Sequence, residues 1–248
     1  MIGIICATDD EIRILKNDIE ATETVNVGTR TFFVGNLYGK DVCLVQSNIG
    51  KVAAGVTVAL MAMRFKVEGI VFTGTAGSVC SDCGLGDIVI ADKLVQHDFD
   101  IPWGPMFRIP IVEKSYFDTD KALSERLMKA ARDYIENDMK KEIPESVMKE
   151  FSLSGMKTHT GTVASGDVFV RTTEKKNFIR ENVENVKCTE MEGAAAAQAA
   201  FEMGIPMAVA RIISDKADED GEFSYDRFVE TASSLISAGI VRNLLKNT

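Results

Sequence analysis

Residues 2–19 read IGIICATDDEIRILKNDI, and this stretch contains the unit from which the fold is assembled. IGIICA is a short apolar run of the buried-strand type. TDDEIRILKNDI follows with Ile12, Leu15 and Ile19 at helical spacing. Between them Thr8-Asp9-Asp10-Glu11 matches the S/T-x-x-E capping box, in which a glutamate reaches back to a backbone N–H at a helix start. A strand, a turn and a helix therefore succeed one another without a linker.

The alternation continues outward. TFFVGNLYGKDVCLVQSNIG (31–50) reads as two strands around Tyr38-Gly39-Lys40, with Gly35 a bulge position, and KVAAGVTVALMAMRF (51–65) as a buried helix. VEGIVFTGTAGS (67–78) is a strand entering a glycine-rich loop, GDIVIADKLVQHDFD (86–100) a further strand, and TDKALSERLMKAARDYIENDMKKE (119–142) an amphipathic helix opened by a threonine or aspartate cap. Residues 101–117, IPWGPMFRIPIVEKSYF, have prolines and aromatics but no period, and predict a long surface loop. KTHTGTVASGDVFV (157–170) gives a strand and turn, CTEMEGAAAA (188–197) a glutamate-bearing apolar helix, and MAVARIISD (207–215) a buried strand. FSYDRFVETASSLISAGIVRNLL (223–245) predicts one long closing helix. The expected fold is α/β: a single domain over 1–248 with a central, mostly parallel or mixed sheet flanked by helices on both sides.

Composition removes several function classes. A net charge of −9 and a pI near 4.9 disfavour nucleic acid, whose phosphates need a basic face. The N-terminus lacks a basic region ahead of its apolar run, and no stretch reaches membrane-span length, so a cytoplasmic protein without membrane contact is expected. Five cysteines, an odd number, read as reduced thiols. Cys80 and Cys83 form a lone C-x-x-C in a Gly/Ser/Asp turn, with neither a second pair nor a partnered histidine. Metal and redox use are therefore weakly supported, and no metal or cofactor is expected.

In open α/β sheets ligands bind at the carboxyl ends of strands. Thr8 to Glu11, Ser47 to Lys51, Thr73 to Ser78, Ser165 to Asp167, Glu190 to Glu192 and Ser214-Asp215 all follow apolar runs, and could converge on one rim. Each also has an ordinary explanation. Glu11 completes a capping box, Asp215 caps a turn, and a glutamate before the 193–203 helix satisfies its N-terminus. Two glutamates at i and i+2 on an extended approach point the same way, which suits a ligand with adjacent hydroxyls. Asp215, beside apolar walls, is a candidate general acid. TGTAGS has neither G-x-G-x-x-G nor a Walker lysine, but its glycines, with Ala76 and Gly77, let a sugar or base approach the backbone. Lys51 opens a helix and is expected to face solvent.

GIICATDDEI, SNIGKVAAG, FTGTAGS, ASGDVFV, TEMEGAAAA and ARIISDKAD, in this order, resemble the purine-nucleoside and uridine phosphorylase superfamily, and within it the methylthioadenosine/S-adenosylhomocysteine nucleosidases. The resemblance implies a cofactor-free N-ribosyl hydrolase releasing adenine, with Glu11 as the base that activates water and Asp215 as the acid that protonates purine N7. It assigns adenine to Ser214, Val170 and the stacking ring of Phe169. Ribose hydroxyls go to Glu192, supported by Glu190 and floored by Met191. Arg211 orients the catalytic carboxylate and, with Thr75, helps to position the water. It further implies a homodimer in which a neighbour's 101–117 loop completes the 5′ pocket. Ile49, Trp103, Met106, Phe107 and Tyr225 supply apolar material for that pocket.

The chain departs from the pattern in places. Phe72 stands where a phosphorylase has a phosphate-binding arginine, which favours water over phosphate. Thr8 stands where bacterial nucleosidases often have methionine, and 136–156 is longer and more charged, which leaves the 5′ substituent open. Two competing readings are a phosphate-dependent phosphorylase and a non-catalytic nucleoside-binding or storage member. Strict phosphate dependence would mark the first; the presence of both Glu11 and Asp215 argues against the second.

Overall fold

The computed structural model of the chain describes the backbone of residues 1–217 and 221–246, and all of their side chains except those of 221–224. Asp218, the last residue of the ARIISDKAD block, and the final two residues of the expected 1–248 domain lie outside the described residues. In chain order the strands are β1 (Ile2–Cys6), β2 (Glu20–Val27), β3 (Arg30–Leu37), β4 (Lys40–Gln46), β5 (Gly69–Ser78), β6 (Ile88–Gln96), β7 (Tyr116–Asp118), β8 (Thr158–Ser165), β9 (Val186–Glu190) and β10 (Met207–Asp215). The helices are α1 (Asp9–Asp18), α2 (Lys51–Arg64), α3 (Lys121–Asp133), α4 (Met139–Glu142), α5 (Glu145–Glu150), α6 (Thr173–Asn182), α7 (Gly193–Met203), α8 (Gly221–Phe228) and α9 (Ser234–Lys246).

The sheet is mixed and partly closes on itself. β10 pairs with β5 in parallel and with β6 antiparallel, β6 with β8 and β8 with β9 in parallel, and the tip of β9 returns to the tip of β5. These five strands form a ring. From β5 the sheet continues outward through β1, β4, β3 and β2. Strand side chains alternate between faces, so neighbours enter different cores. Ile5 and Phe72 join Met61 and Ala197 beneath α2 and α7, whereas Ile4 and Val71 face the side covered by α1, α3 and α9. Each fully buried Ile, Leu or Phe contributes roughly 1.5–3 kcal/mol. Among the described residues, no helix is long and apolar enough to cross a membrane.

Several local expectations change. TGTAGS is not a loop: all of it belongs to β5 and is buried. Gly35 pairs regularly with Val42, and the irregularity lies opposite it in β2, between Ala21 and Glu23. A Cβ on Gly35 would stand 2.2 Å from the Glu20 carbonyl oxygen, so the glycine admits the neighbouring strand. The 188–197 helix begins only at Gly193, leaving Glu190 at the end of β9 and Glu192 at the helix N-cap. The 119–142 helix opens on the Asp120 cap, whose Oδ1 accepts the Leu123 amide at 2.8 Å, and π-helical turns interrupt both this helix and the closing one. Within 101–117 the chain is irregular but not wholly superficial: Phe107 and Ile109 are buried and Tyr116 enters β7. β2 and α6, for which the sequence raised no expectation, are elements with mostly exposed side chains.

Candidate active site

The carboxyl ends of β1, β4, β5, β8, β9 and β10 open onto one cavity of about 210 Å3. Thr8 and Glu11 line it after β1, Ile49 after β4, Thr75, Ala76 and Gly77 from β5, and Phe169 and Val170 after β8. Glu190, Met191 and Glu192 line it from the end of β9, Ser214 and Asp215 from β10, and Tyr225 from α8. Arg211 stands outside the lining. A larger cleft of about 550 Å3, between α3 and the β6 and β8 strands, contains none of these residues.

Glu11 fulfils its ordinary role and another at once. Its Oε2 accepts the amides of Ala7 at 2.9 Å and Thr8 at 3.2 Å, completing the capping box, while its Oε1 accepts the Thr75 amide at 2.8 Å and hydroxyl at 3.1 Å. The second contact follows from topology. β1 pairs with β5 only over Gly69–Phe72, so beyond Phe72 that edge of β5 has no β1 partner and the Thr75 N–H turns to the carboxylate. Gly74 makes room: a Cβ there would meet Glu11 Oε1 at 2.8 Å and Arg211 Nη1 at 3.1 Å.

Glu190 and Glu192 divide the work that their spacing suggested they share. Glu190 accepts the Gly193 amide at 2.8 Å and the Glu192 amide at 3.1 Å, capping α7, and also accepts the Ser165 hydroxyl. Its Oε2 is 2.6 Å from Arg211 Nη2. Burial opposes its ionisation, but Arg211 and the Ser165 hydrogen bond outweigh that and hold its carboxyl below the usual range. Glu192 has weaker support: its Oε1 accepts the Gly50 amide at 2.8 Å. Burial, with Glu190 nearby, pushes its carboxyl up to about 8. Arg211 is 1% exposed, its guanidinium carbon 4.4 Å from the Phe72 ring centroid. Phe72 thus packs against Arg211 and does not itself line the cavity.

Asp215 is also held by its own surroundings. Ser214 Oγ donates to its Oδ2 at 2.8 Å and the Ala217 amide to its Oδ1 at 2.7 Å, and Ser214 reaches the Ala76 carbonyl at 3.3 Å. Above these groups Phe169 and Tyr225 meet edge to face at 5.8 Å. Of the apolar residues expected near the 5′ end, Ile49 and Tyr225 reach the cavity; Trp103, Met106 and Phe107 are not in its lining, and Phe107 packs instead with Val79 and Val170.

Some contributors were not anticipated. Ala7, Val168 and Thr189 complete the lining, small or apolar residues without a signature in sequence. Gly50, at φ 99°, turns its amide toward Glu192 from a conformation natural to glycine. Lys51 does not face solvent: its ammonium is 2.6 Å from Asp98, and its amide donates to Asp167 at 2.8 Å, fixing the start of α2 beside the cavity. Among the described residues, one group combines potential metal ligands at close range, Cys80, Asp82 and Cys83, and none of the three lines the cavity.

Comparison with known proteins agrees with this arrangement. The profile of a family described as the phosphorylase superfamily matches residues 1–246. The chain belongs to the phosphorylase superfamily. Among superfamily members, the 5′-methylthioadenosine/S-adenosylhomocysteine nucleosidase of Listeria welshimeri is 35% identical over 250 residues, covering 99% of this chain and 98% of that one. The Neisseria meningitidis nucleosidase of the same name, solved with methylthio-immucillin-A, superposes with a TM-score of 0.86 at 30% identity over 100% of this chain and 99% of that one. A Helicobacter pylori futalosine hydrolase gives a TM-score of 0.83 at 30% identity, over 100% and 97% of the two chains. The mixed sheet with helices on both faces is the superfamily's α/β fold.

Proposed function

We propose that this protein is an N-ribosyl hydrolase that cleaves the glycosidic bond of 5′-substituted adenine nucleosides, methylthioadenosine and S-adenosylhomocysteine first, and releases adenine. The observation that carries this reading is the make-up of the cavity: the carboxyl side chains of Glu11, Glu190, Glu192 and Asp215 line it, and no lysine or arginine does so among the described residues. A phosphate dianion finds no countercharge there, whereas a ribosyl cation forming at C1′ is stabilised by an adjacent carboxylate, that of the base Glu11. Water is the nucleophile that such a cavity accepts.

The chemistry needs two groups on different sides of the scissile bond, as in inverting glycosidases. Glu11 deprotonates the attacking water, which Thr75 helps to orient. Asp215 delivers a proton to purine N7, making the leaving base neutral, and Ser214 and Val170 hold the adenine against Phe169. Glu192 binds ribose hydroxyls over Met191. Glu190 and Arg211 act behind it, keeping the end of β9 in position. Ala76 and Gly77 bring backbone close to the nucleoside, while Thr8, Ile49 and Tyr225 border its 5′ end.

The whole chain acts as one domain, in the cytoplasm, in the nucleoside arm of methionine salvage, and as a homodimer. Exposed Val52 and Met63 on α2, Phe201 on α7 and Trp103 in the 101–117 loop support pairing, with a neighbour's loop completing the 5′ pocket. Sedimentation as a monomer at micromolar concentration would refute the dimer.

The deciding experiment is adenine release from methylthioadenosine in phosphate-free buffer, repeated with phosphate. Release without phosphate supports the hydrolase; release that requires phosphate, with a sugar 1-phosphate product, replaces it with a phosphorylase. A panel including 5′-deoxyadenosine and aminodeoxyfutalosine then maps the 5′ preference, the second substrate being suggested by the likeness to a futalosine hydrolase.

A further inference from the structure

The nucleosidase reading leaves one chemically equipped cluster unused. Beyond Ser78, at the end of β5, the chain turns toward β6 through Cys80, Asp82 and Cys83, whose ligand atoms all lie within 4.8 Å of one another. The turn is fixed at several points. Ser78 Oγ contacts the carbonyls of both Cys80, at 3.0 Å, and Cys83, at 3.1 Å. The Val79 amide donates to the Lys187 carbonyl at 3.1 Å, and the Gly84 amide to Asp87 Oδ2 at 2.9 Å. One hydroxyl thus binds the backbone of both cysteines and holds their side chains as neighbours.

The two thiols are unequal. Cys80 is partly exposed, while Cys83 is 7% exposed and packs in the main core. We propose that Cys80 and Cys83 are a redox-active dithiol, Cys80 the attacking and Cys83 the resolving thiol, which closes to a disulfide by exchange with low-molecular-weight disulfides. The electrostatics support these roles. A hydrogen bond from Cys83 lowers the Cys80 thiol to about 7, against opposition from burial and Asp82, so much of it is thiolate at neutral pH. The same hydrogen bond, with burial, raises Cys83 far above the ordinary range. Lys187 reaches in from β9 to pair with Asp82 at 2.8 Å.

The exchange balances. The Cys80 thiolate attacks one sulfur of a disulfide RSSR, forming Cys80–S–S–R and expelling one thiolate. Cys83 then attacks the Cys80 sulfur, its proton passing to the second departing thiolate. The cysteine pair loses two electrons and two protons, and RSSR becomes two RSH. A metal site is the poorer reading of the same cluster. It offers two sulfurs and a carboxylate already paired with Lys187, and of the two histidines His159 is engaged by Asp87 at 2.8 Å.

The test equilibrates the full-length protein in glutathione buffers of increasing oxidised fraction, quenches with acid, alkylates, and reads the cysteines by peptide mass spectrometry. The peptide with Cys80 and Cys83 is expected to lose two hydrogens in oxidising buffer and to recover them in dithiothreitol. In Cys83→Ser a glutathione adduct accumulates on Cys80. In Cys80→Ser adduct formation on Cys83 is at least about 10-fold slower. Three results overturn the proposal: both thiols alkylated at every ratio, Cys83→Ser without an adduct, or a chelator-releasable metal on the wild-type pair. The wild-type mass shift requires no substitution, so a variant that fails to fold leaves the test intact.

Discussion

Arg211 Nη2 stands 2.6 Å from Glu190 Oε2, with 1% and 3% of the two side chains exposed. Such a pair is stabilising only while both members are present, because either one alone is an uncompensated charge in a dry interior. Arg211→Met is expected to lower stability by about 3–5 kcal/mol in urea unfolding. A loss below about 1 kcal/mol would mean that Ser165 and the α7 amides suffice for Glu190.

Asp215→Asn removes the group that protonates the leaving base, and Glu11→Gln the one that activates water. Each is expected to lower kcat by about 100-fold or more while the protein remains folded. Near-normal turnover in either variant would dismiss the role assigned to that residue.

Gly74→Ala tests geometry rather than charge. The added methyl would lie 2.8 Å from Glu11 Oε1, a carboxylate tied down by amides at both oxygens and unable to step aside freely. A displacement of even a fraction of an ångström at a catalytic group is costly, and kcat should fall by about 10-fold or more with KM less affected. An unaltered kcat would show that Glu11 tolerates displacement.

Stability should depend on pH through Glu192. Its native value of about 8 lies above an unfolded value of about 4.3, so between them the native state holds the extra proton. Its contribution is therefore complete at low pH and is lost as pH rises through 8, at up to about 1.4 kcal/mol per pH unit. His97 has the opposite sign. Burial, with Lys175 nearby, lowers it to about 4, so stability falls as pH drops from about 6.5 toward 4. Comparing wild type with Glu192→Gln cancels groups, such as His97, that are not among the causes of the Glu192 shift. Between pH 6.5 and 8 the wild type should lose at least about 1 kcal/mol more than the variant. Parallel unfolding midpoints across that range would contradict the raised Glu192.

The sequence revealed much of the fold because its interior strands are apolar and its helices periodic. IGIICA, MAVARIISD and the capping box at Thr8 each announce themselves. β2 did not, because EATETVNV lies on an open edge with most side chains in water and needs no hydrophobic face. α6 was silent for a similar reason, with Ile179 its one buried side chain. TGTAGS misled because glycine usually signals a turn, whereas here it lets Glu11, Asp215 and Ala217 press against a strand. At the site, residue types marked Glu11, Glu192 and Asp215. The sharing of labour between Glu190 and Glu192 came from the resemblance and not from their spacing, since it depends on Arg211 arriving behind one and the Gly50 amide before the other. Lys51 was misread because Asp98 is distant in sequence.

β5 lies where the ring of strands meets the open sheet, bonded to β1 along its first half, to β10 along most of its length and to β9 at its tip. Each of its ladder amides can exchange hydrogen with solvent only when the strand on that side separates, so they belong with the slow-exchanging part of the molecule. The amide that fixes Glu11, that of Thr75, lies on this buried strand. Whatever breathing admits a nucleoside must therefore come from the rim, where Val168 is 47% and Phe169 40% exposed, rather than from the strand that aligns the carboxylate. Entry and alignment are thus assigned to different parts of the chain, an exposed rim and a buried strand, so that loosening the first leaves the second in register.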